Sequence, residues 1–388
     1  MMTNDVRMKK LIAAIDKTAY GKWIKEQGVP IHEGHGLDDV RELDMSSWKR
    51  IGGRAAFLQL YGMEGLTGMY VAEIPPGGAL EPERHLYEEI ICILEGNGAT
   101  EVWQEGGPKR IFEWGKYSVF APPLNAYHRL VNGGREPVKF LAVTTAPLVM
   151  DVFHNIEFVF NCPFGFTDRY GGEEDYFATG SKRYEMDRQH IWETNFIPDV
   201  IAATLGARDI KGSGVQLTQF EIAGNGLIGH VSQWPAGRYH KAHYHGAGAI
   251  LLGLQSSGYV LLWPKDAGAR PYESGNEDQV VEVPWREGSV YCPPDKWFHQ
   301  HLNTGPEPAR HLALRYSSRL HPVGMRVASK VMMQGEDGAP YTSIRDGGTL
   351  IEYEDEDPEI RRRYELTLKK TGVANQMPPV RPAAGVNL

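Results

Sequence analysis

Short runs of β-branched and aromatic residues, cut by glycine and proline, occupy most of the chain. In a first block they fall at 57–61, 68–74, 90–94, 100–103, 117–120 and 138–143. In a second block, from about residue 214 to 320, they fall at 215–220, 227–231, 250–254, 259–263, 289–292 and 310–316. Apolar runs this short, bounded by turn residues, predict strands. Glu95-Gly-Asn-Gly98 predicts a hairpin turn between two of them. Many short strands at regular spacing predict closed barrels or jelly rolls. Helical spacing is confined to the ends. Leu11, Ile12, Ile15, Ala19 and Trp23 recur on one face of a helix expected over 8–27, and a charged helix is expected from Pro358 to about Lys370. Residues 28–47 read as a polar connection, and 151–207, irregular and aromatic, as a linker with lead-in helices. The Pro- and Ala-rich tail from Val373 is expected to be flexible.

The predicted architecture is all-β: two antiparallel barrels with a few flanking helices. The expected division is a helix and lead-in over 1–50, a first barrel over 51–150, a linker over 151–213, a second barrel over 214–322, and a helix and tail over 323–388. A length of 388 residues suits two such domains. The 44 glycines and 25 prolines favour turns over long helices.

Charge and cysteine usage narrow the function classes. A formal charge of −8 with no basic stripe gives nucleic acid no electrostatic footing. No apolar run reaches the roughly 18 residues of a membrane span. The apolar stretch at 11–15 is too short for a secretory signal, so the expectation is a cytoplasmic protein. Cys92, Cys162 and Cys292 stand apart with no CxxC pair, which predicts buried reduced thiols. Cys292, close to the His-rich segment, is also considered as a site-lining residue.

The candidate chemistry lies in two spaced patterns. In the second block Gly237, His240, His243 and His245 are followed by Gly288, Pro294, His299, His301 and Asn303. His243 and His245 stand two apart, so on a strand they face one way. A third imidazole from a distant strand would complete a facial metal site with open positions. In the first block Gly77, Glu83, His85, Glu89 and Gly96 are followed by Gly115, Pro123, His128 and Asn132. Alternation places Glu83, His85, Tyr87 and Glu89 on one face.

The spacing of both patterns resembles the cupin superfamily, whose motifs are G-x5-H-x-H-x3/4-E-x6-G and G-x5-P-x-G-x2-H-x3-N. The resemblance implies a jelly-roll barrel, duplicated here as a bicupin, with metal ligands of two His, one Glu and a last His. Carried onto this chain, the first set is Glu83, His85, Glu89 and His128, with Glu83 in place of a His and Asn125 in place of the motif glycine. Two readings stay open for it: a site for Mn(II) or Fe(II), or a barrel without its metal. In the second block His243, His245 and His299 match ligand positions. Ala249 and Ile250 stand where the Glu is expected, and Lys296 replaces the motif glycine, which leaves a three-His set.

Three neutral imidazoles leave the metal charge uncompensated and favour an anionic, bidentate substrate. The resemblance then implies a non-haem Fe(II) dioxygenase acting with dioxygen on a small anionic aromatic diol, hydroxyacid or diketone. In outline this is similar to gentisate-type ring-cleaving enzymes, in which the metal is held by the N-terminal barrel rather than the C-terminal one. The alternative is an Mn(II)-dependent decarboxylase, hydrolase or isomerase using the N-terminal site, or a non-catalytic small-molecule-binding bicupin. His301 is the candidate proton shuttle, sharing the face of His299. His240 has the wrong parity relative to His243 on an unbroken strand and is expected at the rim, within reach of substrate. Arg238 and Arg315 are candidate carboxylate anchors, and Trp297 a candidate lining residue. Bicupins often form homo-oligomers, and subunit contacts are expected here.

Overall fold

Each strand-rich block closes as a large sheet facing a small one. The computed structural model describes residues 4–178, 182–186, 189–323 and 341–380. The first large sheet runs Ile31–Gly34, Gly53–Leu60, Gly68–Ile74, Val138–Thr144, Glu89–Glu95, Val119–Phe120, Phe196–Ile197, with Ser46–Trp48 beside Gly53–Leu60. Opposite it lie Tyr127–Val131, Gly98–Trp103 and Arg110–Trp114. The second large sheet contains Lys182–Met186, Gln189–Glu193, Gln216–Glu221, Leu227–Trp234, Ala309–Tyr316, Ile250–Gln255, Val290–Tyr291 and Gly36–Leu37 in that order. Its small partner sheet is Val281–Arg286, Ser257–Pro264 and Trp297–Asn303. In both halves a late strand lies between two early ones, the connectivity of a jelly roll. The fold is all-β with a few flanking helices, as the strand pattern predicts.

The large sheets stack back to back. Leu58, Val71, Leu141 and Val143 meet Val231, Leu252, Leu312 and Leu314 in one core between the barrels. Alternate residues of the same strands, such as Phe57, Tyr70, Ile91 and Phe140, fill the first barrel. Strands buried on both faces read as continuous apolar runs, which is why they are visible in the sequence. Arg110–Trp114, Tyr127–Val131, Val281–Arg286 and Trp297–Asn303 are not among the runs that the apolar pattern predicts. They belong to the small sheets, where polar residues interrupt the apolar pattern.

Two connections are more than linkers. Within 28–47, Ile31–Gly34 pairs with Gly53–Leu60 of the first barrel, and Gly36–Leu37 pairs with Val290–Tyr291 of the second. In return Phe196–Ile197 pairs with Val119–Phe120. Each half thus supplies a strand to the sheet of the other. An ion-pair network secures this crossing: Asp39 is 2.6 Å from Arg41, which also reaches Glu287 at 2.8 Å.

The expected N-terminal helix is two, Asn4–Ile15 and Ala19–Glu26, because the Thr18 hydroxyl accepts from Gly21 N at 3.0 Å and starts a new helix. At the other end Pro358–Thr371 is capped by Asp357 and stopped by Gly372 in the left-handed region. Ile360, Tyr364 and Leu368 pack against Tyr239 and Phe298. The tail expected to be flexible is held as far as it is described: Gln376 N donates to Gly237 O at 3.0 Å and Met377 is buried. Residues 381–388 lie outside the described residues.

Beside this helix, Glu356 accepts from Tyr239 Oη and Gln300 Nε2, both at 2.5 Å. Burial pushes its carboxyl up to about 7. The folded state therefore keeps the proton where the unfolded chain, with a value near about 4.3, has lost it. Its contribution is fully present below the unfolded value and falls as pH rises to about 7, on the order of 3 kcal/mol in all. Urea midpoints of the protein are expected to fall between pH 4.5 and 7 by more than those of Glu356→Gln; equal slopes would contradict this assignment.

Candidate metal centres

A register slip builds both sites. In the second barrel the bridge Tyr239↔Leu302 is followed by His243↔His299, one residue out of step; in the first, Ala79↔Val131 is followed by Glu83↔His128 with the same slip. An extra residue on one side turns the chain and delivers side chains inward. The following tight turn needs a left-handed residue. Asn125 (φ 55°) and Lys296 (φ 56°), which replace the motif glycines, both adopt that conformation. Asn132 and Asn303 pin the far ends: Asn132 Nδ2 donates to Ile74 O, Pro75 O and Glu136 O, and Asn303 Nδ2 to Pro235 O and Glu307 O.

In the C-terminal barrel the donor atoms of His243, His245 and His299 all lie within 4.8 Å of one another, and all three residues are buried. Each Nδ1 meets a backbone carbonyl: Lys241 O at 3.2 Å, Gly246 O at 2.8 Å and Trp297 O at 3.2 Å. That fixes the rings and makes Nε2 the atom each can offer a cation. Burial drives the His299 pKa down to about 3 and that of His243 well below the usual imidazole range. Neutral imidazoles can ligate without first losing a proton. The donor set fits a divalent metal, and Ala249 leaves it without a carboxylate.

Around this trio the structure sorts the remaining candidates. His301 shares the inward face of His299, with ring centroids 5.5 Å apart. Its Nδ1 lies 2.7 Å from Tyr291 Oη, which lies 2.9 Å from His311 Nδ1. The Tyr291 hydroxyl has one proton, so it donates to one imidazole and accepts from the other. His240 is not a rim residue. It is 3% exposed and packs against Trp234 at 4.4 Å and His301 at 5.1 Å. The slipped register removes the unbroken strand on which its parity was judged. Arg238 lies outside the site, tied to Gln376 O and Ser213 Oγ. Trp297 belongs to the apolar filling of the barrel with Met8 and Leu262, and packs on His35. Cys292 lies in the core between the barrels and lines neither centre.

Arg315 does face the centre, in company absent from the sequence expectations. Lys211 and Tyr341 are buried, and Lys211 Nζ lies 4.7 Å from the Tyr341 ring centre. The Tyr341 and His243 rings are 5.4 Å apart. Burial alone would raise the Tyr341 hydroxyl, but Lys211, Arg315 and Arg208 outweigh it and bring its pKa down to about 7. His230 is a further buried imidazole, whose pKa is held low by burial and by Arg315 and Lys211. A histidine inside the apolar run 227–231 was a usable signal. Lys211, at the end of the short 3-10 helix Asp209–Lys211, and Tyr341, outside any strand, gave none.

The N-terminal barrel brings together His85, Glu89 and His128, all buried. Glu89 Oε2 is 3.4 Å from His85 Nε2 and 3.6 Å from His128 Nε2, while its Oε1 accepts from Tyr70 Oη at 2.7 Å. Burial would raise the Glu89 carboxyl, but the two imidazoles outweigh it and hold it far below the usual range. Burial likewise works against charge on His128, yet Glu89 and Glu83 raise its pKa. Glu89 Oε2 and His85 Nε2 are buried without a hydrogen-bond partner among the described residues. Two such atoms aimed at one point fit a cation. Glu83, expected in this set, is drawn aside: it pairs with Arg50 at 3.2 Å and stands 4.0 Å from His128. Arg50 is itself stacked on Phe160 at 3.4 Å. Tyr87, expected beside the ligands, stacks on His85 with ring centres 3.7 Å apart and orients it.

Residues 70–144, which contain this trio, match the family model described as Cupin domain. Residues 70–144 are thus a cupin domain. The second barrel repeats the strand order, the register slip and the asparagine pins of this domain, so the fold is that of a bicupin. Solved structures similar to it include a variant of oxalate decarboxylase from Bacillus subtilis, at 13% identity over 73% of this chain and 77% of that one, with a TM-score of 0.47. The oxalate decarboxylase of Lactobacillus farciminis in complex with formate is 11% identical over 73% of this chain and 86% of that one, with the same TM-score. At these values the likeness carries no argument about chemistry. No curated protein matches the sequence. Among the described residues no helix is long and apolar enough to cross a membrane.

Proposed function

We propose that this bicupin is a metal-dependent dioxygenase that works at its C-terminal centre, with Fe(II) held by His243, His245 and His299. The observation that carries this reading is the convergence of three buried imidazoles with no carboxylate among them. Such a set keeps the full charge of a divalent ion and leaves coordination positions open. Bound iron would supply a Lewis acid and a means of activating dioxygen. The substrate is a small anionic diol, hydroxyacid or diketone. Lys211 and Arg315 add positive charge beside the centre and attract it. His301, neutral under burial, is the base next to the ligands; its Nδ1 is held by Tyr291. His240, buried against His301, sits behind it rather than at an entrance.

A second reading rests on the His85, Glu89 and His128 trio. A site with a carboxylate suits Mn(II) and a decarboxylase, hydrolase or isomerase in the N-terminal barrel. The two are separated by loading the protein with iron or manganese and following oxygen uptake and carbon dioxide release across diols, hydroxyacids and diketones. Oxygen uptake with iron supports the first reading. Manganese-dependent turnover without oxygen uptake supports the second. A folded protein that takes up neither metal would leave only a non-catalytic binding role.

A further inference from the structure

Burying a cation is costly unless an anion accompanies it. Beside the three-His centre Lys211 is buried and Arg315 half-buried, and the only acidic group among those acting most strongly on Lys211 is a phenol. Lys211 is 6% exposed. Burial works against charge on its ammonium, and the groups that act on it next are Tyr341, Arg315 and Arg208, with no carboxylate among them. Arg315 stands on the inward face of Ala309–Tyr316, beside His230 across the strand pair, and its Nε makes no hydrogen bond among the described residues. His230 Nδ1 is likewise buried without one. Glu221, at the end of the neighbouring strand Gln216–Glu221, is already engaged by Gln219 Nε2 at 2.7 Å and Ser318 Oγ at 2.5 Å. Lys211 and Arg315 both reach the Tyr341 hydroxyl, whose ring is 5.4 Å from that of His243. Among the described residues, then, one phenol faces the Lys211 and Arg315 charges next to a centre built for a divalent ion.

The geometry points to a carboxylate subsite formed by Lys211, Arg315 and the Tyr341 hydroxyl, so that the substrate bears a carboxylate in addition to the oxygens it presents to the three-His centre. This rests on the C-terminal reading above and narrows its substrate class to dianions: dicarboxylates, or hydroxyacids and keto acids with a second acid group. A substrate with a single acidic function would leave the Lys211 and Arg315 charges unmatched once it engaged the metal. The phenol lies between the two positions and would touch the linking part of the ligand.

The test is calorimetric titration of the full chain with dicarboxylates from malonate to adipate, the matching monocarboxylates, and the dicarboxylate diesters. One arm uses metal-loaded protein and the other protein treated with chelator. At least one dicarboxylate is expected to bind at least about tenfold more tightly than its monocarboxylate, with no binding of the diester. Lys211→Met and Arg315→Met are each expected to weaken it about 10- to 100-fold, the loss of one charge-assisted contact, without lowering metal content. Lys211→Arg should restore most of the affinity, which separates lost charge from a damaged fold. Dicarboxylate binding by the chelated protein that disappears in Lys211→Met supports the subsite even if the dioxygenase reading fails. Equal affinity in the protein and Lys211→Met, or no preference for dicarboxylates in either arm, overturns it.

Discussion

His299→Ala is expected to lower the metal content of the saturated protein from about two divalent ions per chain to about one. The lost ion is the C-terminal one. His299 is the single ligand of that centre from Trp297–Asn303; the other two come from the short segment opposite it. Without it, two imidazoles two residues apart remain, with no carboxylate to replace the third. The fold is expected to survive. The substitution removes one buried ring and its hydrogen bond to Trp297 O, a cost of about 2–3 kcal/mol. Elemental analysis read beside a thermal melt checks both parts. An unchanged metal content would remove the C-terminal centre from the account. Oxygen uptake, where the protein shows it, is expected to vanish with the ion.

Glu89→Gln makes the complementary change. It preserves shape and leaves an oxygen to accept from Tyr70 Oη, but deletes the negative charge between His85 and His128. That charge is what suits the trio to a hard cation. The N-terminal ion is expected to be lost and the C-terminal one kept, again giving about one ion per chain. Glu83 does not replace it, because Arg50 holds it away. The combined variant is expected to bind almost none. Retention of two ions in Glu89→Gln would show that the second ion does not depend on the Glu89 charge and would overturn this assignment.

The two metal sets were readable because cupin ligands have fixed spacing. His243 and His245 differ by two residues and His299 lies on a strand that must face them, so the set survives any error in element boundaries. Glu83 shows the limit. Its spacing was right, but a carboxylate that can choose between a cation site and an arginine follows its nearest charge, and Arg50 is distant in sequence. His240 shows another. Parity counts hold on a regular ladder, and a one-residue slip reversed the count. Arg238 and Arg315 were indistinguishable as residue types. One lies at a turn over the tail and the other on an inward strand face, a difference set by barrel closure.

Strand runs, duplication and the paired motifs came from the sequence alone, because each depends on contacts or alternation within a few residues. The exchange of edge strands between the halves, the ion pair that withdraws Glu83, and the meeting of Lys211, Arg315 and Tyr341 beside the three imidazoles were decided only by the folded structure. The exchanged strand alone joins Gly36 to Tyr291, far apart in the sequence. Local pattern carries no record of which distant side chain arrives to share a buried charge.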